Sequence, residues 1–237
     1  MPLMETNHGI AYELLYGGGP FAMLRVRLPQ GMSMKAESDA MVSMDMTIDV
    51  EGKMEGGLLS SVWRKFVTGD SFFFQTLTAR RGPGEVLFSP GILGDLCALE
   101  LDGYTEYQMS KGAFFAATNG IILESKFQGL GKGLFSGEGF FVQKVTGKGL
   151  LFVESFGAIH VIDIPAGEER IIDNHHLVAW PSNVPYRLEK ASKSWISTFT
   201  SGEMVVCRFT GPGKVLIQTR NPPAFAEWIG SQMPKRS

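Results

Sequence analysis

Short apolar runs separated by Gly, Pro, Asn or Asp set the rhythm of this chain. "FAMLRVRL", "SFFFQTLTA", "EVLFS", "LCALEL", "AFFAAT", "GIILESKF", "GFFVQKVT", "GLLFVES", "AIHVIDI", "EERIID", "HLVAW", "YRLEK", "SWISTFT", "MVVCRFT" and "KVLIQT" are rich in β-branched and aromatic residues, and each reads as a strand. "MVSMDMTIDV", from Met41 to Val50, reads as one more continuous strand. Many short strands at close spacing predict an all-β sandwich or barrel. Two stretches carry helical spacing instead. Residues 57–69, "GLLSSVWRKFVTG", put Leu58, Leu59, Val62, Trp63 and Phe66 on one face, and residues 222–233 place Phe225, Trp228 and Ile229 at i, i+3 and i+4 behind two prolines. Both helices are expected to pack on the β body.

The same turn is written three times. Gly82-Pro83-Gly84 precedes "EVLF", Gly147-Lys148-Gly149 precedes "LLFV" and Gly211-Pro212-Gly213 precedes "KVLI", at spacings of 65 and 64 residues. Gly31, Gly103 and Gly167 form a second series, each followed ten residues later by an apolar run that opens at Met41, Ala113 or Leu177. The last two of these glycines lie 64 residues apart and the first two 72, so the first block carries extra residues, within "KMEGGLLSSVWRKFVTG". Regular self-similarity is the mark of internal repetition. We read one domain of 237 residues with pseudo-threefold repeats at 21–90, 96–157 and 159–220, each containing a glycine-turned hairpin, and a helix at 222–233. Its 29 glycines and a charged fraction of only 19% suit a turn-rich, well-buried β protein.

Pseudo-symmetry would gather Arg80, Arg81, Lys148 and Lys214 at equivalent corners, where a basic cluster could meet an anion or nucleic acid. Hairpin tips are also where solvated Lys and Arg cost nothing, and Glu85 occupies the position matching Lys214. The whole chain carries 22 basic against 24 acidic residues, a net charge of −2, with no basic stripe to track a phosphate backbone. Nucleic acid is therefore a weak expectation. "IIDNHHLVAW" resembles a cupin histidine motif only loosely, because His175 and His176 are adjacent and in a strand would face opposite ways. His160 could join one of them as a metal ligand, yet no carboxylate follows in the run.

Nucleophile-elbow, phosphate-loop and dinucleotide motifs are missing from the sequence. No enzyme activity and no cofactor are expected. Cys97 and Cys207 lie in apolar strands as small buried thiols, which suits a reducing compartment. No apolar stretch is long enough for a spanning helix, and "MPLMETNHGIAYELLYGG" resembles no transit peptide, so a soluble cytoplasmic protein is expected.

"GGLLSSVWRKFVTGDSFFFQTLTA", "GEVLFSPGILGDLCALEL", "KGAFFAAT", "GEGFFVQKVTGKGLLFVESFG", "GEERIIDNHHLVAW" and "GPGKVLIQTRNP" together resemble the family of altered inheritance of mitochondria protein 24, from about Phe21 to Trp228. The resemblance implies a fold like that of the tryptophan RNA-binding attenuator protein, a double-stranded β-helix arrangement repeated as a pseudo-trimer. It also implies a link to inner-membrane organisation for the mitochondrial members and no assigned activity for the bacterial ones. Fold alone does not carry function. The expected role is a non-enzymatic scaffold that self-associates as a homo-oligomer or binds a protein partner, with the 58–66 segment as a peripheral membrane contact. A nucleic-acid binder and a small-ligand or metal protein are the alternatives.

Overall fold

In the computed structural model, residues 3–54, 73–128, 140–190 and 205–234 are described. The first block holds β1 (Met4–Glu5), β2 (Ala11–Leu15), β3 (Met23–Leu28), β4 (Ser33–Glu37), β5 (Met41–Met44), β6 (Ile48–Met54), β7 (Phe73–Ala79) and β8 (Gly84–Phe88). The second holds β9 (Leu96–Asp102), β10 (Tyr107–Ser110), β11 (Phe114–Thr118), β12 (Ile121–Gln128) and the long β13 (Phe140–Glu154). The third holds β14 (Ile159–Ile164), β15 (Glu169–Asp173), β16 (Leu177–Pro181), β17 (Tyr186–Lys190), β18 (Val205–Thr210) and β19 (Gly213–Gln218), followed by helix α1 (Pro222–Gln232). The fold is all-β with this one helix among the described residues.

Four antiparallel pairings recur in each block. β3 pairs β8, the second half of β13 pairs β9, and β14 pairs β19. β7 lies between β4 and β6, the first half of β13 between β10 and β12, and β18 between β15 and β17. The fourth pairing carries a register shift each time: β5 on β8 between Met41 and Ser43, β11 on β13 between Phe114 and Ala116, β16 on β19 between Leu177 and Ala179. An extra residue at the same place bends each of these strands alike. Strands of successive blocks then join, β4 to β11 and β10 to β16, so that sheets run from one block into the next.

Three hydrophobic cores fill the spaces between these sheets. Side chains alternate along each strand, so a strand with a core on either side is apolar throughout. β13 sends Leu150 and Phe152 into the first core and Leu151 and Val153 into the second. β11 does likewise with Phe115 and Ala116 against Phe114 and Ala117, and β16 gives Val178 and Ala179 to the second core but Leu177 and Trp180 to the third. Aromatic edges lock these layers, as where Tyr12 meets Phe152 at 5.0 Å and Phe209 meets Trp180 at 5.5 Å. Buried Asp95 ties the blocks together: its carboxylate accepts from the backbone of Gly18 and Leu96, both at 2.9 Å, and of Ile159 at 3.3 Å.

Several sequence expectations are corrected. The glycine-turned hairpins do not form: β7 and β8 belong to different sheets, as do β18 and β19, and β13 runs unbroken through Gly147. Gly147 is needed for close approach, since a Cβ there would lie 2.0 Å from the Gly120 carbonyl oxygen, and its φ of +99° suits glycine. "MVSMDMTIDV" is not one strand but β5 and β6, broken by a turn in which the Asp45 carbonyl accepts from the Ile48 amide at 3.0 Å. His175 and His176 occupy a single 3-10 turn, Asn174–His176, because the Asp173 side chain caps it. Helix α1 forms behind an Asn221 cap with prolines in its first turn, but no residue of it is buried, and Phe225 reaches the body by packing on Phe156 at 5.0 Å. The expected helix carrying Leu58, Leu59, Val62, Trp63 and Phe66 and the strand expected at "SWISTFT" lie outside the described residues.

Candidate functional site

β5 departs from its two counterparts in one respect. The shared bulge aligns Val42 with Phe115 and Val178, and Met44 with Ala117 and Trp180. Val42 is 55% exposed and Met44 39%, whereas Phe115, Val178 and Trp180 are fully buried and Ala117 is 1% exposed. The cause is a missing neighbour. β11 and β16 are covered along their outer edge by β4 and β10 of the preceding block, while β5 ends its sheet and pairs only with β8 among the described strands. In the third block β15, the counterpart of β4 and β10, also ends its sheet, pairing among the described strands only with β18. An open edge with exposed apolar side chains is a template for another strand.

Around β15 the charges are largely matched. Glu169 is taken by Arg208 at 3.3 Å and Arg187 at 3.4 Å, and the Arg208 guanidinium also grips Glu189 at 2.9 Å, which holds the Glu189 carboxyl down at about 2. Arg170, beside Glu169 on the exposed edge, has no carboxylate partner among the described residues. Across the molecule the exposed Asp45 closes β5, its carboxylate accepting from the Glu85 amide at 2.8 Å.

Two carboxyls sit at the internal junction of β4 with the second block. Glu154, buried at the end of β13, is pushed up to about 8 by burial and then by Glu37. Half-buried Glu37 is pushed up to about 7 by burial and then by Asp39. The Glu154 Oε2 atom has no hydrogen-bond partner among the described residues, and the Gln75 amide next to Glu37 donates to the Glu37 carbonyl instead, at 2.7 Å. Burial and the neighbouring carboxylates both favour the protonated form of these two groups.

The residues singled out from sequence are placed as follows. Arg80 is paired with Asp49 and Glu51, and Arg81 with Asp49 at 2.5 Å; Arg81 also donates to the carbonyls of Met46 and Ile48, clamping the β5–β6 turn. Lys214 reaches Asp163 at 3.6 Å, and Lys148 is exposed with no ion pair among the described residues. Three of the four cations are thus tied to carboxylates, which lowers the local field they present. His160 is exposed on β14, His176 is bonded through Nδ1 to the Gln218 carbonyl at 2.7 Å, and His175 rests on Asp173 at 3.2 Å. No group of three or more His, Cys, Asp or Glu side chains converges on a common point among the described residues. Cys207 is buried, its thiol pushed up to about 12 by burial and then by Asp173. A recess of about 350 Å³ of mixed polar and apolar lining, including Lys35, Glu51, Phe74, Thr76, Arg80 and Asn119, opens beside β4, with Arg80 already committed to Glu51.

The edge on β5 was missed in sequence. Its signal was present, since Val42, Met44 and Met46 alternate with Ser43 and Asp45 along β5 and the turn after it, while "AFFAA" and "LVAW" are apolar throughout.

The model of the family described as mitochondrial biogenesis AIM24 matches residues 12–220. An uncharacterized protein of Streptococcus pyogenes serotype M6 is 30% identical over 224 residues, covering 92% of this chain and 89% of that protein. Altered inheritance of mitochondria protein 24, mitochondrial, from Verticillium alfalfae is 24% identical over 200 residues; these are 81% of this chain but 51% of the fungal protein. The crystal structure of a Streptococcus pyogenes protein superimposes with a TM-score of 0.76 at 28% identity, covering 94% of this chain and all of that one. No helix among the described residues is long and apolar enough to cross a membrane.

Proposed function

The chain belongs to the mitochondrial biogenesis AIM24 family, and from that premise we propose that it is a non-catalytic β scaffold that works by self-association. The observation that supports this reading is the exposure of Val42 and Met44 on a strand whose two counterparts are buried on both faces. Both side chains are already about half buried, so covering the rest of each is worth roughly 1 kcal/mol, and a second copy gains from meeting this edge. The repeated blocks serve the same end. Each supplies the strand that covers the next, and a unit built to join its own neighbours is equipped to join other copies.

The reading predicts that native mass spectrometry of freshly purified protein gives an integer multiple of the chain mass, and that the multiple dissociates on dilution. A monomer carrying a stoichiometric ion, small molecule or oligonucleotide overturns it and redirects attention to the histidines or to Lys148.

A further inference from the structure

The chain contains two block-to-block junctions, and they are built in one register. In the first, Ala36, Lys35 and Met34 of β4 face Ala116, Ala117 and Thr118 of β11. In the second, Met109, Gln108 and Tyr107 of β10 face Ala179, Trp180 and Pro181 of β16. Each time a buried residue of the earlier block stands opposite the first residue after the bulge. Ala36, Met109 and Ile172 correspond because each is buried and stands five residues before the residue that precedes the bulge, Met41, Phe114 and Leu177. The residue after the bulge in β5 is Ser43.

One component of each kind is left over. Among the described residues β5 lacks the preceding strand and β15 lacks the following one, and no ladder joins them. Resting on the self-association reading, we infer that β5 of one molecule and β15 of a second copy pair antiparallel in the register of the internal junctions, linking copies head to tail. Ile172 then stands opposite Ser43, Ile171 opposite Met44 and Arg170 opposite Asp45.

The chemistry of the two edges agrees with that alignment, which was fixed by the bulge and the ladders alone. Arg170, which has no carboxylate partner among the described residues, meets the exposed carboxylate that closes β5. Partly exposed Ile171 meets exposed Met44, and an apolar cross-strand pair and an opposite-charge pair each favour the ladder. A slip by one residue would set Arg170 against Met44 or Met46 and lose both matches. The two surfaces differ, so the contact is heterologous. It closes into a ring if the rotation per molecule divides a full turn and otherwise runs on as a filament.

The test uses full-length chains in a Cys97→Ser background. Asp45→Cys and Arg170→Cys proteins are mixed and oxidised mildly, and the expected product is a disulfide-linked heterodimer that neither variant forms alone. The double variant should give a ladder of linked dimers, trimers and higher species. An intrachain disulfide in the double variant, or a homodimer of Asp45→Cys alone at equal yield, overturns the inference. Charge exchange supplies a second readout. Asp45→Arg and Arg170→Asp should each raise the concentration for half-assembly at least tenfold, and chains carrying both should recover it. If multimers persist unchanged in the single charge variants and the mixed cysteine chains stay unlinked, the β5–β15 register falls while the scaffold reading stands. A wild-type chain that is monomeric at all concentrations removes the scaffold reading itself.

Discussion

β5 and β16 make the same ladder, carry the same bulge and hold equivalent places in their blocks, yet one is exposed and the other buried on both faces. Their backbones see the same partner on one side. On the other side β16 has β10 and a second core, while β5 has none among the described residues. Composition follows that difference. β16 uses Leu177, Val178, Ala179 and Trp180 without interruption, whereas β5 sets Ser43 between Val42 and Met44, with Asp45 directly after. A strand's hydrogen bonds therefore do not fix its burial; the presence of the next layer does.

The largest effect is expected where the second layer exists. Trp180→Ala empties a fully buried position and should cost about 3–5 kcal/mol in urea denaturation, whereas the equivalent Met44→Ala should leave the isolated monomer within about 0.5 kcal/mol of wild type. A large loss at Met44 in dilute monomer would break the comparison.

Gly147→Ala is expected to rank second, at about 1–3 kcal/mol, because its φ of +99° and the Gly120 carbonyl 2.0 Å from the added Cβ leave no relaxed solution. Thermal unfolding of that variant checks whether the straight passage of β13 depends on this glycine.

The junction between the first two blocks should respond to pH. Glu37 and Glu154 titrate near 7 and 8 in the folded chain against 4.5 ordinarily, so the folded state keeps protons that the unfolded state has released. Their contribution is fully present below about pH 4.5 and is lost as pH rises through about 8. Glu154→Gln should flatten this fall and stabilise the chain at pH 8.5 by on the order of 2 kcal/mol, read from urea midpoints across pH. An unchanged pH profile would mean that the joint does not hold its protons.

The smallest effect sharpens the same contrast. Val42→Ala should change monomer stability by less than about 0.5 kcal/mol, while Val178→Ala, which empties part of the second core, should cost about 1–3 kcal/mol. Circular dichroism with heating separates the two outcomes.

Most strands were legible because apolar runs bounded by Gly, Pro, Asn or Asp report their own conformation locally. β3, β8, β9, β11 and β18 stand where their sequences put them. The spacing of the glycine series was equally local. What the glycines did there was not, since Gly147 looks the same in sequence whether it turns a hairpin or lets two backbones approach within van der Waals range. The break of "MVSMDMTIDV" at Asp45 depends on Arg81 reaching the Met46 and Ile48 carbonyls from 35 and 33 residues away, which no window of local sequence contains. The basic tips were found by sequence as residues but not as a site, because their carboxylate partners Asp49, Glu51 and Asp163 arrive from neighbouring strands.

By itself the sequence determined the all-β class, the family, the helix at 222–233 and the near-regular spacing of its glycines, all of which rest on local propensity and on pattern along the chain. Only the tertiary structure decided which sheet each strand joins, which carboxyls share a junction and which strand edges stay open. Those outcomes depend on partners far apart in sequence, and an edge is open only by virtue of what does not lie beside it.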